Sequence, residues 1–117
     1  MFQKSAEQGL ARVQFYLAMH YEDGDGVEKN YEKAFKRYSK AAEQNDWDAY
    51  NQLGVYYSAG TCVEMNLSKA VEMFTRAAEN GSVYGMKGLG RCYEEGIGIK
   101  KDAKRAREWS RKAEDEE

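Results

Sequence analysis

The chain contains no proline, a single histidine and only two cysteines in 117 residues. Without proline, turns and helix ends must be set by other residues, and 11 glycines are available to set them. One histidine, His20, cannot build a histidine-based metal cluster, and no serine or cysteine stands in an evident catalytic triad. The residue inventory therefore points away from catalysis and implies no metal or cofactor. Cys62 and Cys92 are too few for a disulfide framework, which favours free thiols and a reducing compartment. Neither sign of charge dominates: 18 Lys and Arg against 20 Asp and Glu leave −2, without the basic excess of a general nucleic-acid binder. No run approaches the roughly 18 apolar residues of a membrane span, and the N-terminus lacks the apolar segment of a signal peptide. As a sequence, the chain reads as soluble and intracellular.

What is present is periodic. Lys40-Ala41-Ala42-Glu43 and Arg76-Ala77-Ala78-Glu79 lie 36 residues apart, and Lys112-Ala113 keeps the same register. Leu17, Leu53 and Leu89 share that offset, as do Tyr21, Tyr57 and Tyr93, then Gly24, Gly60 and Gly96, then Val27, Val63 and Ile99. Within a unit, Ala49, Leu53 and Tyr57 form the stripe of an amphipathic helix, helix A, which Gly60 stops. Asn30, Asn66 and Asp102 stand as N-caps of a second helix, helix B, whose small face includes Ala70, Ala77 and Ala78. Each unit is an αα-hairpin that cannot bury its apolar stripe alone. About three such 36-residue units are expected to stack into a single all-α domain, a right-handed α-α superhelix or solenoid. The expected divisions are a half repeat over 1–9 and repeats over about 10–45, 46–81 and 82–117. Glycines 54, 85, 88 and 90 inside A helices cost about 1 kcal/mol each relative to alanine, so they are read as places where backbones touch. Ser110 and Glu114 break the apolar columns of helix B, as a terminal cap would.

These columns resemble the Sel-one-like repeat, a relative of the tetratricopeptide repeat. The second unit carries Ala49, Leu53, Gly54, Tyr57, Gly60, Val63, Lys69, Ala70, Ala77 and Ala78; the third carries Leu89, Gly90, Tyr93, Gly96, Gly98, Arg105, Ala106 and Trp109. The resemblance implies the helical-repeat fold and, for function, an adaptor that holds other proteins. Two positions depart from the pattern: Cys62 replaces the second loop glycine and Arg37 replaces the tryptophan. Cysteine-rich secreted members bridge every repeat internally, a pairing this chain does not offer.

A repeat can be compared with itself: columns that change character between units are expected to be exposed. Four columns vary, namely Arg12/Asp48/Tyr84, Phe15/Asn51/Lys87, Met19/Val55/Arg91 and Glu22/Ser58/Glu94. They are spaced i, i+3, i+7 and i+10, one continuous face of helix A. By the resemblance, helix A lines the concave groove, so these twelve residues are the expected partner-binding set. Phe15 and Met19 would offer an apolar pair, and Tyr84, Lys87 and Arg91 a basic aromatic patch, suited to a peptide or protein segment with a hydrophobic anchor near acidic residues. The competing reading of Phe15 is that it packs against the N-terminal half-helix.

Other features have plainer readings. His20, in a column with Tyr56 and Cys92, is expected to be semi-buried packing. Asp23-Gly24-Asp25-Gly26 lacks the spaced carboxylates of a calcium loop and reads as a repeat turn. Gly85, Gly88 and Gly90 lack the strand and spacing of a phosphate loop and are assigned to packing. Seven basic residues between Lys100 and Lys112 read as the solvated face of a terminal helix, with an acidic or nucleic-acid partner as the alternative. The leading functional reading is a non-enzymatic interaction scaffold. The runners-up are a secreted or periplasmic repeat protein with ligand-binding or enzyme-like activity, and the regulatory repeat region of a larger enzyme.

Overall fold

The computed structural model describes residues 2–24 and 26–117, with side chains from Gly9 onward. Asp25, in the run weighed for calcium, and most of the expected half repeat's side chains lie outside the described residues. Among those described there are six α-helices: α1 (Phe2–Asp23), α2 (Tyr31–Glu43), α3 (Trp47–Ala59), α4 (Leu67–Glu79), α5 (Val83–Glu95) and α6 (Ala103–Glu116). They pair as hairpins, α1 with α2, α3 with α4 and α5 with α6, and stack in chain order through α2 on α3 and α4 on α5. No described helix is long and apolar enough to cross a membrane.

The B helices start as their sequence dictates. The side chains of Asn30, Asn66 and Asp102 accept the backbone N–H groups of Lys33, Lys69 and Arg105 at 3.0, 3.0 and 3.1 Å, each satisfying one of the orphan donors of a first helical turn. The A helices α3 and α5 are capped by Asp46 and Ser82, which accept from Ala49 and Gly85 at 3.2 and 3.1 Å. The corresponding position in the first unit is Leu10, which has no side-chain oxygen to cap with. The half repeat and the first A helix accordingly run together as the single 22-residue helix α1.

Small residues let the helices close in. Ala41, Ala49, Ala70 and Ala77 are completely buried. A Cβ on Gly85 would lie 2.5 Å from Ala77 Cβ and 2.8 Å from the Ala78 backbone nitrogen, so only glycine permits α5 to approach α4 this closely. The expected backbone contact thus holds at Gly85. Gly54 and Gly88 instead flank the ring of Phe74, and Gly90 sits at ordinary van der Waals distance from α6.

The loop after α3 keeps the repeat's geometry despite its changed residue. Cys62 has φ 63°, matching its column mates Gly26 at 75° and Gly98 at 68°. The left-handed conformation is therefore imposed by the fold, at a steric cost that a side chain bears and glycine does not.

Candidate functional site

α1, α3 and α5 carry the twelve expected site residues, but the structure divides them into residues that hold the repeats together and residues that do not. Arg12 Nη1 donates to Asp46 and Asp48 of the next A helix, all at 3.1 Å. Asp48 in turn accepts the hydroxyl of Ser82 at 2.6 Å. The two links share an offset of 34 residues, so each A helix grips the N-cap of the following one. Burial pushes the Asp46 carboxyl above its usual range although Arg12 pulls it back. Arg12 and Asp48 are joints between units.

Glu22 is a joint as well. Its two carboxylate oxygens accept the hydroxyls of Tyr38 (2.6 Å) and Tyr56 (2.8 Å), tying α1, α2 and α3 to one group. Burial raises both tyrosine hydroxyls well above their ordinary pKa, with the hydrogen bonds to Glu22 acting in the same direction. Phe15 packs edge-on to Tyr38 at 5.5 Å between ring centroids and is only 5% exposed. The exposed Phe15–Met19 pair is therefore not formed: Phe15 belongs to the core between α1 and α2, while Met19 remains exposed. Asn51, its column mate, is also buried, at 7%. In the first two units that column packs inward with a side chain of different size, and only at Lys87 does it reach the surface, a difference that column variability alone does not reveal. His20 departs in the opposite sense. It is exposed, whereas Tyr56 and Cys92 of the same column are buried in α3 and α5.

Val55, Tyr84, Lys87, Arg91 and Glu94 are exposed and Ser58 half-buried. Val55 and Ser58 of α3 face Tyr84, Lys87 and Arg91 of α5 across a cavity of about 680 Å³. Its inner wall includes Asn51, Phe74, Gly88 and Cys92, none of them among the expected set except Asn51. Lys87 is paired with Glu117 and Arg91 with Glu95, and these partners hold both cations firmly protonated. Both pairs are exposed, so they add little stability and exchange readily for other carboxylates. The patch of Tyr84, Lys87 and Arg91 read from the sequence is thus present and accompanied by an apolar recess that column comparison did not reveal.

Neither cysteine is in a disulfide: Cys62 is exposed and Cys92 buried, where burial pushes its thiol up. The basic residues of α6 from Lys104 to Lys112 are exposed along the helix.

Comparison with known proteins places this architecture. The Sel1 repeat family matches residues 1–10, 11–46, 47–82 and 83–116. Among solved structures, a Sel1 repeat protein from Oxalobacter formigenes is 36% identical with a TM-score of 0.81, over 92% of this chain and 44% of that one. A protective antigen of uropathogenic Escherichia coli strains, c5321, is 37% identical with a TM-score of 0.82, over 97% of this chain and 24% of its own. Helicobacter pylori cysteine rich protein B is 25% identical, TM-score 0.72, with 94% and 90% of the two chains covered. A curated relative, chitin synthase regulator SKT5 of Saccharomyces cerevisiae, is 44% identical over 48 residues, which are 41% of this chain and 7% of that protein. The chain thus spans less than half the length of that relative and of the first two structures. With the repeat matched from end to end, the hairpins stacked in register and the same fold in solved relatives, the chain belongs to the Sel1 repeat family.

Proposed function

We propose that the chain is a non-enzymatic scaffold that holds a peptide or protein segment against the exposed face of its A helices, centred on α3 and α5. The observation that supports this reading is the division of labour on that face. Arg12, Glu22 and Asp48 are spent on holding units together and Phe15 on packing its own hairpin, whereas Val55, Tyr84, Lys87 and Arg91 are exposed around a recess and, among the described residues, make no hydrogen bond or ion pair between repeats. Exposed aromatic and arginine side chains beside a preformed apolar recess are the residue types that dominate binding energy at protein interfaces. The names of the relatives, a regulator and an antigen among them, share no substrate, in keeping with a fold that serves many partners.

The test is affinity capture from the source cell with the wild type and a Val55→Asp/Tyr84→Ser/Arg91→Glu variant of unchanged helicity. Specific proteins retained by the wild type and lost by the variant are the expected result. Retention of the same proteins by both would refute the assignment of this face.

A further inference from the structure

The two junctions between units can be superimposed by the 36-residue register. At the first, four positions are filled by Phe15, Glu22, Tyr38 and Tyr56: Phe15 stacks edge-on to Tyr38, Tyr38 lies 6.0 Å from Tyr56, and Glu22 receives both hydroxyls. At the second, the same four positions hold Asn51, Ser58, Phe74 and Cys92, and all four line the 680 Å³ cavity. A phenyl ring has become an amide, a phenol a thiol, a carboxylate a hydroxyl. Ser58 has no tyrosine to receive and turns its hydroxyl back to the carbonyl of Val55 at 2.9 Å. The recess therefore stands where aromatic rings stand one repeat earlier, which states the shape of what fits it.

The rim states the charge. Among the described residues lining the cavity, Lys87 and Arg91 are the charged ones, and no carboxylate lines it. Val55 and Tyr84 are 43% and 60% exposed and extend the apolar surface outward from the opening. Resting on the scaffold reading above, we infer that the α3–α5 recess is an anchor pocket for one aromatic side chain of a partner peptide, with acidic residues beside the anchor pairing with Lys87 and Arg91. The anchor ring replaces the rings missing from the second junction, and the peptide's carboxylates displace the surface pairs made with Glu117 and Glu95. Asn51 supplies a side-chain amide at the wall that can both donate to and accept from peptide groups.

The experiment uses blocked pentapeptides of sequence Asp-Glu-Trp-Glu-Asp, the same with Ala at the centre, and the same with Lys at the four flanks, titrated into the full chain and followed by amide NMR shifts. The acidic Trp peptide is expected to saturate with Kd of roughly 1 mM or tighter, as a single anchored side chain gives, and to shift Asn51, Gly88 and Cys92. The Ala and Lys peptides should bind at least tenfold more weakly. Asn51→Phe/Cys92→Tyr, which restores the residues of the first junction, should abolish the Trp preference. Lys87→Glu/Arg91→Glu, confined to the surface, should reverse the preference for acidic flanks. Shifts on the α3–α5 rim that are indifferent to Trp→Ala would overturn the pocket and leave the scaffold face standing. Failure of the Trp peptide to saturate, or shifts confined to other helices, would overturn the pocket, and in the second case the face with it.

Discussion

Gly9 and Gly85 both lie in helices, and the same substitution at each should move stability in opposite directions. Among the described residues an alanine at Gly9 meets nothing within 4 Å, so Gly9→Ala should gain the helix propensity of alanine over glycine, about 1 kcal/mol. At Gly85 the new methyl would sit 2.5 Å from Ala77 Cβ and under 3 Å from the backbone of α4. Neither neighbour is a flexible side-chain end, so the two helices must separate. Overpacking of this kind costs about 2–3 kcal/mol; after the propensity gain, Gly85→Ala should lose about 1–2 kcal/mol. For a chain of this size each kcal/mol moves Tm by roughly 3–6 °C. Thermal melts followed by far-ultraviolet circular dichroism should therefore show the Gly9 variant melting a few degrees above the wild type and the Gly85 variant several degrees below it. A Gly85→Ala protein as stable as Gly9→Ala would show that α4 and α5 are not in backbone contact, and the small-residue explanation of the stack would fall.

Cutting Glu22 back to alanine leaves two buried tyrosine hydroxyls without their acceptor and should cost about 2–3 kcal/mol in urea unfolding, with Glu22→Gln recovering part of it. Because burial makes Asp46 hold its proton more tightly in the folded chain than in the unfolded one, its contribution favours folding on the acid side and is lost as pH rises from the ordinary carboxylate pKa through the raised one. Arg12→Gln removes the main opposing influence, so denaturation midpoints should fall more steeply with rising pH in that variant than in the wild type; parallel profiles would argue against the pair. Cys62→Gly should stabilise modestly, by up to about 1 kcal/mol, since it relieves a left-handed side chain while giving the unfolded chain more freedom. A thiol reagent should modify Cys62 in the native protein and Cys92 only after unfolding, and the intact mass without reductant should be that of two free thiols.

The repeat, the helix pairing and the caps were legible because they depend on local chemistry: Asn30, Asn66 and Asp102 bond to groups three residues away. The site was legible only where a column ends at the surface, as for Tyr84, Lys87 and Arg91. Phe15 and Asn51 were misplaced because a column also varies when a whole junction is repacked. The signal was available in another form: Phe15, Tyr38 and Tyr56 lose their rings or hydroxyls together as Asn51, Phe74 and Cys92, and Glu22 shrinks to Ser58 alongside them. Reading that joint change requires knowing that the four columns meet, and their partners sit 16 and 34 residues apart across three helices.

The contrast between the junctions has a mechanical meaning. α1, α2 and α3 are fastened by a half-buried carboxylate that accepts two tyrosine hydroxyls. At the corresponding positions α3, α4 and α5 meet around empty space, with one ring, that of Phe74, held between two glycines. The two junctions are therefore fastened by different means, the first through hydrogen bonds to one carboxylate and the second through close backbone approach at Gly85 with the recess beside it.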